Sequence, residues 1–225
     1  MRSVSVVIPA YNEEHYITET IKAVKKVPGV NQIIVVDDGS KDSTAQFAAD
    51  AGAEVIRLKH NKGKGNALNL GCIQCNQELI ALIDADLGAS AGELIKLIRP
   101  VADGTADMTI ATFPKTRKKG GIGLVKTLAN MGLKVYVGQK LKEPLSGQRV
   151  MNRQAFAEIF PFASGFGVEI MATLKAFKGG FVVKEVETKM YHRETGRDIS
   201  GFKHRGKQFY HILIALFKIR LRSKI

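Results

Sequence analysis

Short, nearly unbroken apolar runs alternate along this chain with longer stretches of helical periodicity, and that alternation restricts the fold more than any other feature. "VSVVIPA" reads as a buried strand, and "EEHYITETIKAVKKV" follows as a helix with Ile17, Ile21 and Val24 on one face. "QIIVVDDGS" predicts a strand, "DSTAQFAADAG" a helix ending at Gly52, and "AEVIRLK" a strand. "KGNALNLGCIQC" is the next helix, "ELIALIDAD" the next strand, and helix "SAGELIKLIRPVADG" with strand "ADMTIATF" closes the series. Strands apolar on both faces and separated by helices call for a single α/β domain with a mostly parallel sheet flanked by helices. At 225 residues the chain is long enough for one sizeable core.

In open sheets of this kind, ligands gather outside the carboxyl ends of the strands. The polar clusters all follow strands: Pro9 to Glu14 after the first, Asp37-Asp38-Gly39-Ser40 after the second, Asp84-Ala85-Asp86 after the fourth. They are expected to converge on one edge. Asn12, Ser40 and Asp42 are also ordinary helix-capping residues. The adjacent acids Asp37 and Asp38 repel unless a cation or hydrogen-bond donors compensate. Side chains on alternate residues of an extended segment share a face, so Asp84 and Asp86 are expected to look into one cleft. Mg²⁺ and Mn²⁺ are commonly held by one or two carboxylates plus substrate phosphates, which makes a metal bridging protein and diphosphate a reading of that pair. "HNKGKGNALNLG" resembles a phosphate cradle ahead of a helix N-terminus, yet it is neither a P-loop nor a dinucleotide fingerprint, and a solvated turn explains it equally well.

Charge narrows the partners. The 34 Lys and Arg against 21 Asp and Glu give +13, which favours a nucleotide, a phosphorylated substrate, an anionic membrane or nucleic acid. Nucleic acid is the reading least supported: there is no Trp, aromatics are 7%, and no nucleic-acid-binding motif occurs. Cys72 and Cys75 form a C-x-x-C inside an apparent helix, with no further ligands nearby for zinc, and read as reduced structural cysteines. The opening residues do not resemble a signal peptide, no run approaches the roughly 20 apolar residues of a membrane span, and with reduced cysteines the cytoplasm is the expected compartment.

"VVIPAYNEE", "VVDDGSKDST", "NKGKGNALNLG" and "LIDADL", in this order and spacing, resemble the glycosyltransferases of family 2. The likeness is strong over the first half and continues weakly through "LSGQRVMNR" and "GFGVEI". It implies a GT-A, Rossmann-like domain over residues 1–202 and transfer of a sugar from a nucleotide diphosphate donor with Mg²⁺ or Mn²⁺. By the same likeness Pro9, Tyr11, Glu13, Asp38, Lys64 and Asp84 would contact the nucleotide sugar. Asp84 and Asp86 would hold the metal, Asp86 directly.

Within the family the closer resemblance is to polyprenyl- and dolichol-phosphate sugar transferases, whose "DADLQ" is matched through Leu87 while Gly88 replaces the glutamine that helps hold metal. His192 is the candidate to complete the metal shell, since related enzymes that glycosylate phosphoglycerate place a histidine similarly; an ordinary surface histidine is the competing reading. In "FPKTRKKGGIG", Arg117 matches an acceptor-phosphate arginine, and Arg149 of "SGQR" lies where the family has "SGFR"; both are expected on the acceptor side. Glu169 is the general-base candidate if the acceptor is a hydroxyl, whereas an acceptor phosphate is already largely ionised and needs none.

The last segment, 203–225, predicts a basic amphipathic helix with Phe209, Leu213, Leu216 and Phe217 on one face, His211, Lys218 and Arg222 opposite, and Arg220 interrupting the apolar side. It suits a peripheral position at the inner face of a membrane, a docked terminal helix or a homo-oligomer contact. The expected function is therefore inverting transfer onto a lipid phosphate. The alternatives are a soluble, retaining transferase acting on phosphoglycerate or a similar acid, and a non-catalytic anion-binding protein.

Overall fold

Every central strand of this protein feeds two cores at once, which is why its strands read as continuous apolar runs. In β1 (Val4–Ala10), Val6 and Ile8 join one buried cluster while Val7 joins the other. In β2 (Val30–Asp37), Ile33 and Val35 pack on the first side and Ile34 and Val36 on the second. The computed structural model describes residues 2–113, 124–163 and 167–191. Arg117, His192 and the helix expected over 203–225 lie outside the described residues.

The order continues with α1 (Ile17–Lys25) between those strands, then α2 (Thr44–Asp50), β3 (Glu54–Arg57), α3 (Lys64–Ile73) and β4 (Leu79–Leu82). A 3₁₀ turn over Gly88–Glu93 leads into α4 (Leu94–Ala102) and β5 (Met108–Thr112). The second half adds α5 (Leu124–Val137), β6 (Arg149–Asn152), α6 (Arg153–Ile159), α7 (Val168–Lys178) and β7 (Val183–Glu187). The sheet runs β3-β2-β1-β4-β6-β5-β7 and is parallel except for β6, which is antiparallel to both neighbours. β1, α1 and α4 bury apolar faces as expected. Helix α1 starts later than its periodicity suggests, and the backbone amides of Glu13 and Glu14 ahead of it donate to Thr44 Oγ1 and Asp42 Oδ2.

Strand order reverses beside β1: the chain first builds outward through β2 and β3, then returns to place β4 on the other side. That reversal opens a crevice at the carboxyl ends of β1 and β4. β4 stops beside Val7, while β1 and β2 run on together to Ala10 and Asp37. Cys72 and Cys75 are buried and unlinked near the far end of α3, as expected of structural cysteines. Among the described residues no helix is long and apolar enough to cross a membrane.

Candidate active site

The loops after β1 and β2 are laced into one surface. Asn12 adopts φ 56, a left-handed conformation that Asn tolerates. Its N–H donates to Ser40 Oγ at 2.9 Å and its Oδ1 accepts from Lys41 N at 2.9 Å. Asp42 accepts from Thr44 and from Glu14 N, so the residues with capping potential are used partly between loops. Pro9 is half-buried opposite Val36, Tyr11 is exposed and Glu13 is half-buried.

The two aspartates after β2 are compensated differently. Asp37 is fully buried, accepts from Ser40 N at 2.9 Å and lies 3.4 Å from Arg57 Nε. Asp38 is 4% exposed, and its two oxygens accept from the backbone N–H groups of Lys62 and Gly63, each at 2.7 Å. Its own N–H donates to Ala10 O at 2.8 Å. Asp38 thus fastens the start of α3 to the ends of β1 and β2, and this determines where Lys64, the first residue of α3, emerges.

From there Lys64 Nζ donates to Asp84 Oδ1 at 2.7 Å and lies 3.0 Å from Glu169 Oε1 in the first turn of α7. Burial alone would lower the lysine's pKa, but the carboxylates of Asp84 and Glu169 outweigh it and hold the ammonium above its ordinary value. The other oxygen of Asp84 accepts from Gln148 Nε2 at 2.8 Å. Gly147 is needed here for close approach, because a Cβ would stand 2.6 Å from Lys64 Nζ and 2.9 Å from Asp84 Oδ2. Sequence reasoning missed Gly147 and Gln148, although both stand in the "SGQR" stretch noted for its arginine.

Asp84 and Asp86 do not share one extended strand. β4 ends at Leu82, Ile83 N still reaches Val7 O, and the backbone then turns at Ala85 and Asp86. The turn is held because Thr20 Oγ1 donates to Ala85 O and accepts from Gly88 N, both at 2.8 Å. Both carboxylates nonetheless stay half-buried, with Ala85 buried between them. Gly88 is itself a turn residue at φ 52, and a Cβ there would lie 3.1 Å from Glu19 Oε2. The position that carries glutamine in the resembling transferases is shaped here by backbone geometry.

Arg149 requires a correction. Expected on the acceptor side, it is 1% exposed and its guanidinium is committed within the protein. Nε donates to Ser146 O at 2.9 Å, Nη1 to Thr173 Oγ1 at 2.8 Å and Nη2 to Pro144 O at 3.3 Å. Thr173 in turn donates to Glu169 O at 2.9 Å. Burial lowers the Arg149 pKa to about 10, with Glu169 pulling the other way. The residue braces the first turn of α7 from behind. Among the described residues, no group of three or more His, Cys, Asp or Glu side chains is positioned to share a metal.

Comparison with known proteins agrees with this geometry. Residues 5–160 match the model of Glycosyl transferase family 2. An uncharacterized protein of Methanocaldococcus jannaschii is 34% identical over 88% of this chain and 87% of its own length. The undecaprenyl-phosphate 4-deoxy-4-formamido-L-arabinose transferase of Pseudomonas fluorescens is 36% identical over 45% of this chain and 33% of its own. The glucosyl-3-phosphoglycerate synthase of Mycobacterium tuberculosis, crystallised with Mn²⁺, UDP and phosphoglyceric acid, superposes with a TM-score of 0.80 at 27% identity. That superposition covers 96% of this chain and 78% of the synthase. With the family model matched over most of its length and the fold superposing on the synthase, the chain belongs to glycosyl transferase family 2.

Proposed function

We propose that the crevice beyond β1 and β4 binds a nucleotide diphosphate sugar with Mg²⁺ or Mn²⁺ and transfers the sugar to a phosphate-bearing acceptor. The observation that carries this reading is the cluster in which Lys64 stands 2.7 Å from Asp84 and 3.0 Å from Glu169 at those strand ends. Asp84 and Asp86 supply the hard carboxylate oxygens that such cations take together with substrate phosphates. Among the described residues no group of three His, Cys, Asp or Glu side chains could hold the ion by itself, so His192 and the donor phosphates are the candidates to complete the shell. A bound cation would offset the charge of the departing nucleoside diphosphate. Lys64 adds a second positive charge to the same leaving group, and Asp38 holds the Lys62–Gly63 turn from which that lysine projects. Pro9, Tyr11 and Glu13 form the wall assigned to the nucleoside. Glu169 serves as general base toward an acceptor hydroxyl, or orients an acceptor that is already ionised.

A polyprenyl phosphate is the first acceptor reading. It is supported by the relative from Pseudomonas fluorescens and by the net charge of +13, which suits an anionic membrane surface. Arg117 with Lys115, Lys118 and Lys119 would meet the lipid phosphate, and the 203–225 segment would hold the enzyme at the bilayer. Phosphoglycerate is the second reading, favoured by the superposition on the synthase that binds it. A transfer assay with a UDP-sugar and Mn²⁺, offering polyprenyl phosphate and 3-phosphoglycerate side by side, tests both. Product on the lipid alone, weakened when Arg117 is replaced by Ala, supports the first. Efficient use of phosphoglycerate without lipid supports the second, and transfer undiminished by excess chelator refutes the metal assignment.

A further inference from the structure

We propose that Lys64 is a built-in counter-ion that closes the metal site until a nucleoside diphosphate arrives, making cation binding conditional on the donor. The inference rests on the reading of Asp84 as a metal-binding residue and deepens it. Both Asp84 oxygens already receive donors, Oδ1 from the Lys64 ammonium at 2.7 Å and Oδ2 from Gln148 Nε2 at 2.8 Å. The ammonium is gripped from a second side by Glu169 at 3.0 Å. Gly147 closes over the pair so tightly that a single added methyl would fall 2.6 Å from Nζ.

A divalent cation approaching Asp84 alone therefore meets a positive charge already seated on the carboxylate it needs. Like charges at that separation repel strongly in a half-buried site. Among the described residues, Asp84 and Glu169 are the carboxylates that hold the Lys64 ammonium, and they keep it in place while no other anion is at hand. A diphosphate changes the balance. Its oxygens offer the ammonium a new partner within reach of the flexible four-carbon stem, which releases Asp84 Oδ1 for the cation. After transfer, departure of the nucleoside diphosphate returns Lys64 to Asp84 and closes the site again. Because binding linkage is reciprocal, cation and nucleotide each raise the affinity of the other.

The test is Mn²⁺ uptake, read from the paramagnetic signal of unbound Mn²⁺, for the full chain with and without UDP. Wild-type protein should take Mn²⁺ at least about 10-fold more tightly with UDP than without, within the usual range of coupling between sites. Lys64→Met should bind Mn²⁺ alone about 10-fold more tightly than wild type, and UDP should then add less. Lys64→Arg, which keeps the charge, should keep the weak uptake of the wild type. The sign of the change is decisive, because a damaged fold would lose Mn²⁺ affinity rather than gain it. Lys64→Met no tighter than wild type without UDP, or wild type binding Mn²⁺ equally well with and without UDP, overturns the proposal while leaving the donor site standing. No Mn²⁺ uptake by any of these proteins even with UDP overturns the donor-site reading and the proposal together.

Discussion

The carboxylates at the ends of β2 and β4 occupy equivalent places in the fold and are used in opposite ways. Asp38, after β2, spends both oxygens on backbone N–H groups of the Lys62–Gly63 turn. Asp84, after β4, receives the tips of two side chains, Lys64 and Gln148, on its two oxygens. Backbone partners cannot leave without moving α3, whereas a lysine or glutamine tip can be exchanged for a ligand without moving a helix. The first carboxylate is a fastener and the second an exchangeable site. Mutation should therefore separate them, the first through stability and the second through binding.

The largest effect is expected at the exchangeable end. Asp86→Ala should lower metal-dependent UDP binding and sugar transfer by more than roughly 100-fold, since it removes an assigned ligand rather than a supporting group. Its thermal unfolding should stay close to wild type, because the residue is only half-buried beyond the end of β4. Activity retained in this variant would erase the contrast. At the fastener, Asp38→Ala should cost about 2–4 kcal/mol of stability, two charge-assisted hydrogen bonds to the backbone being lost. Donor affinity should fall with it as the start of α3 loosens. Normal stability with impaired nucleotide binding would move Asp38 into the binding class.

Gly147→Ala sharpens the comparison, because it perturbs only the exchangeable end. The new methyl must displace the far end of Lys64 or the Asp84 carboxylate, so UDP affinity should change several-fold while stability shifts by less than about 1 kcal/mol. His192→Ala should weaken Mn²⁺ binding about 10-fold if that residue completes the shell, and an unchanged titration returns it to an ordinary surface histidine.

The smallest effect concerns a carboxylate that combines both habits. Glu93 accepts from Lys96 Nζ and from Lys189 N, and the Lys96 hydrogen bond foremost holds its pKa below the ordinary 4.5. A depressed folded value stabilises the protein above pH 4.5, and that contribution is lost as pH falls through the folded value. Glu93→Gln should flatten this part of the acid unfolding curve by no more than about 1 kcal/mol. Identical acid unfolding curves would assign the bonds no net worth.

Periodicity settled much of this molecule before any contact was known. The strands through β5 and the helices between them are legible because burial on two faces, or on one helical stripe, writes itself into neighbouring residues. Asp38, Lys64, Asp84 and Asp86 were legible as strand-end and helix-start polar groups, and the resemblance of their motifs named the family. β6 was not legible, since "RVMN" is short, opens with a charged residue and runs directly into a helix. Its direction, opposite to both neighbours, depends on the route of the chain rather than on local pattern.

Tertiary structure alone decided how the polar residues are spent. Nothing in "SGQR" says that Gln148 turns to an aspartate 64 positions earlier while the adjoining Arg149 is buried against Thr173. Nor does "NKGKGN" say that Lys64 is shared by Asp84 and Glu169. Hydrophobic burial is non-directional and recurs with the period of each element, so it can be read from a line of residues. A hydrogen bond or ion pair joins two particular atoms, and which atoms meet is determined only when the elements that carry them have packed.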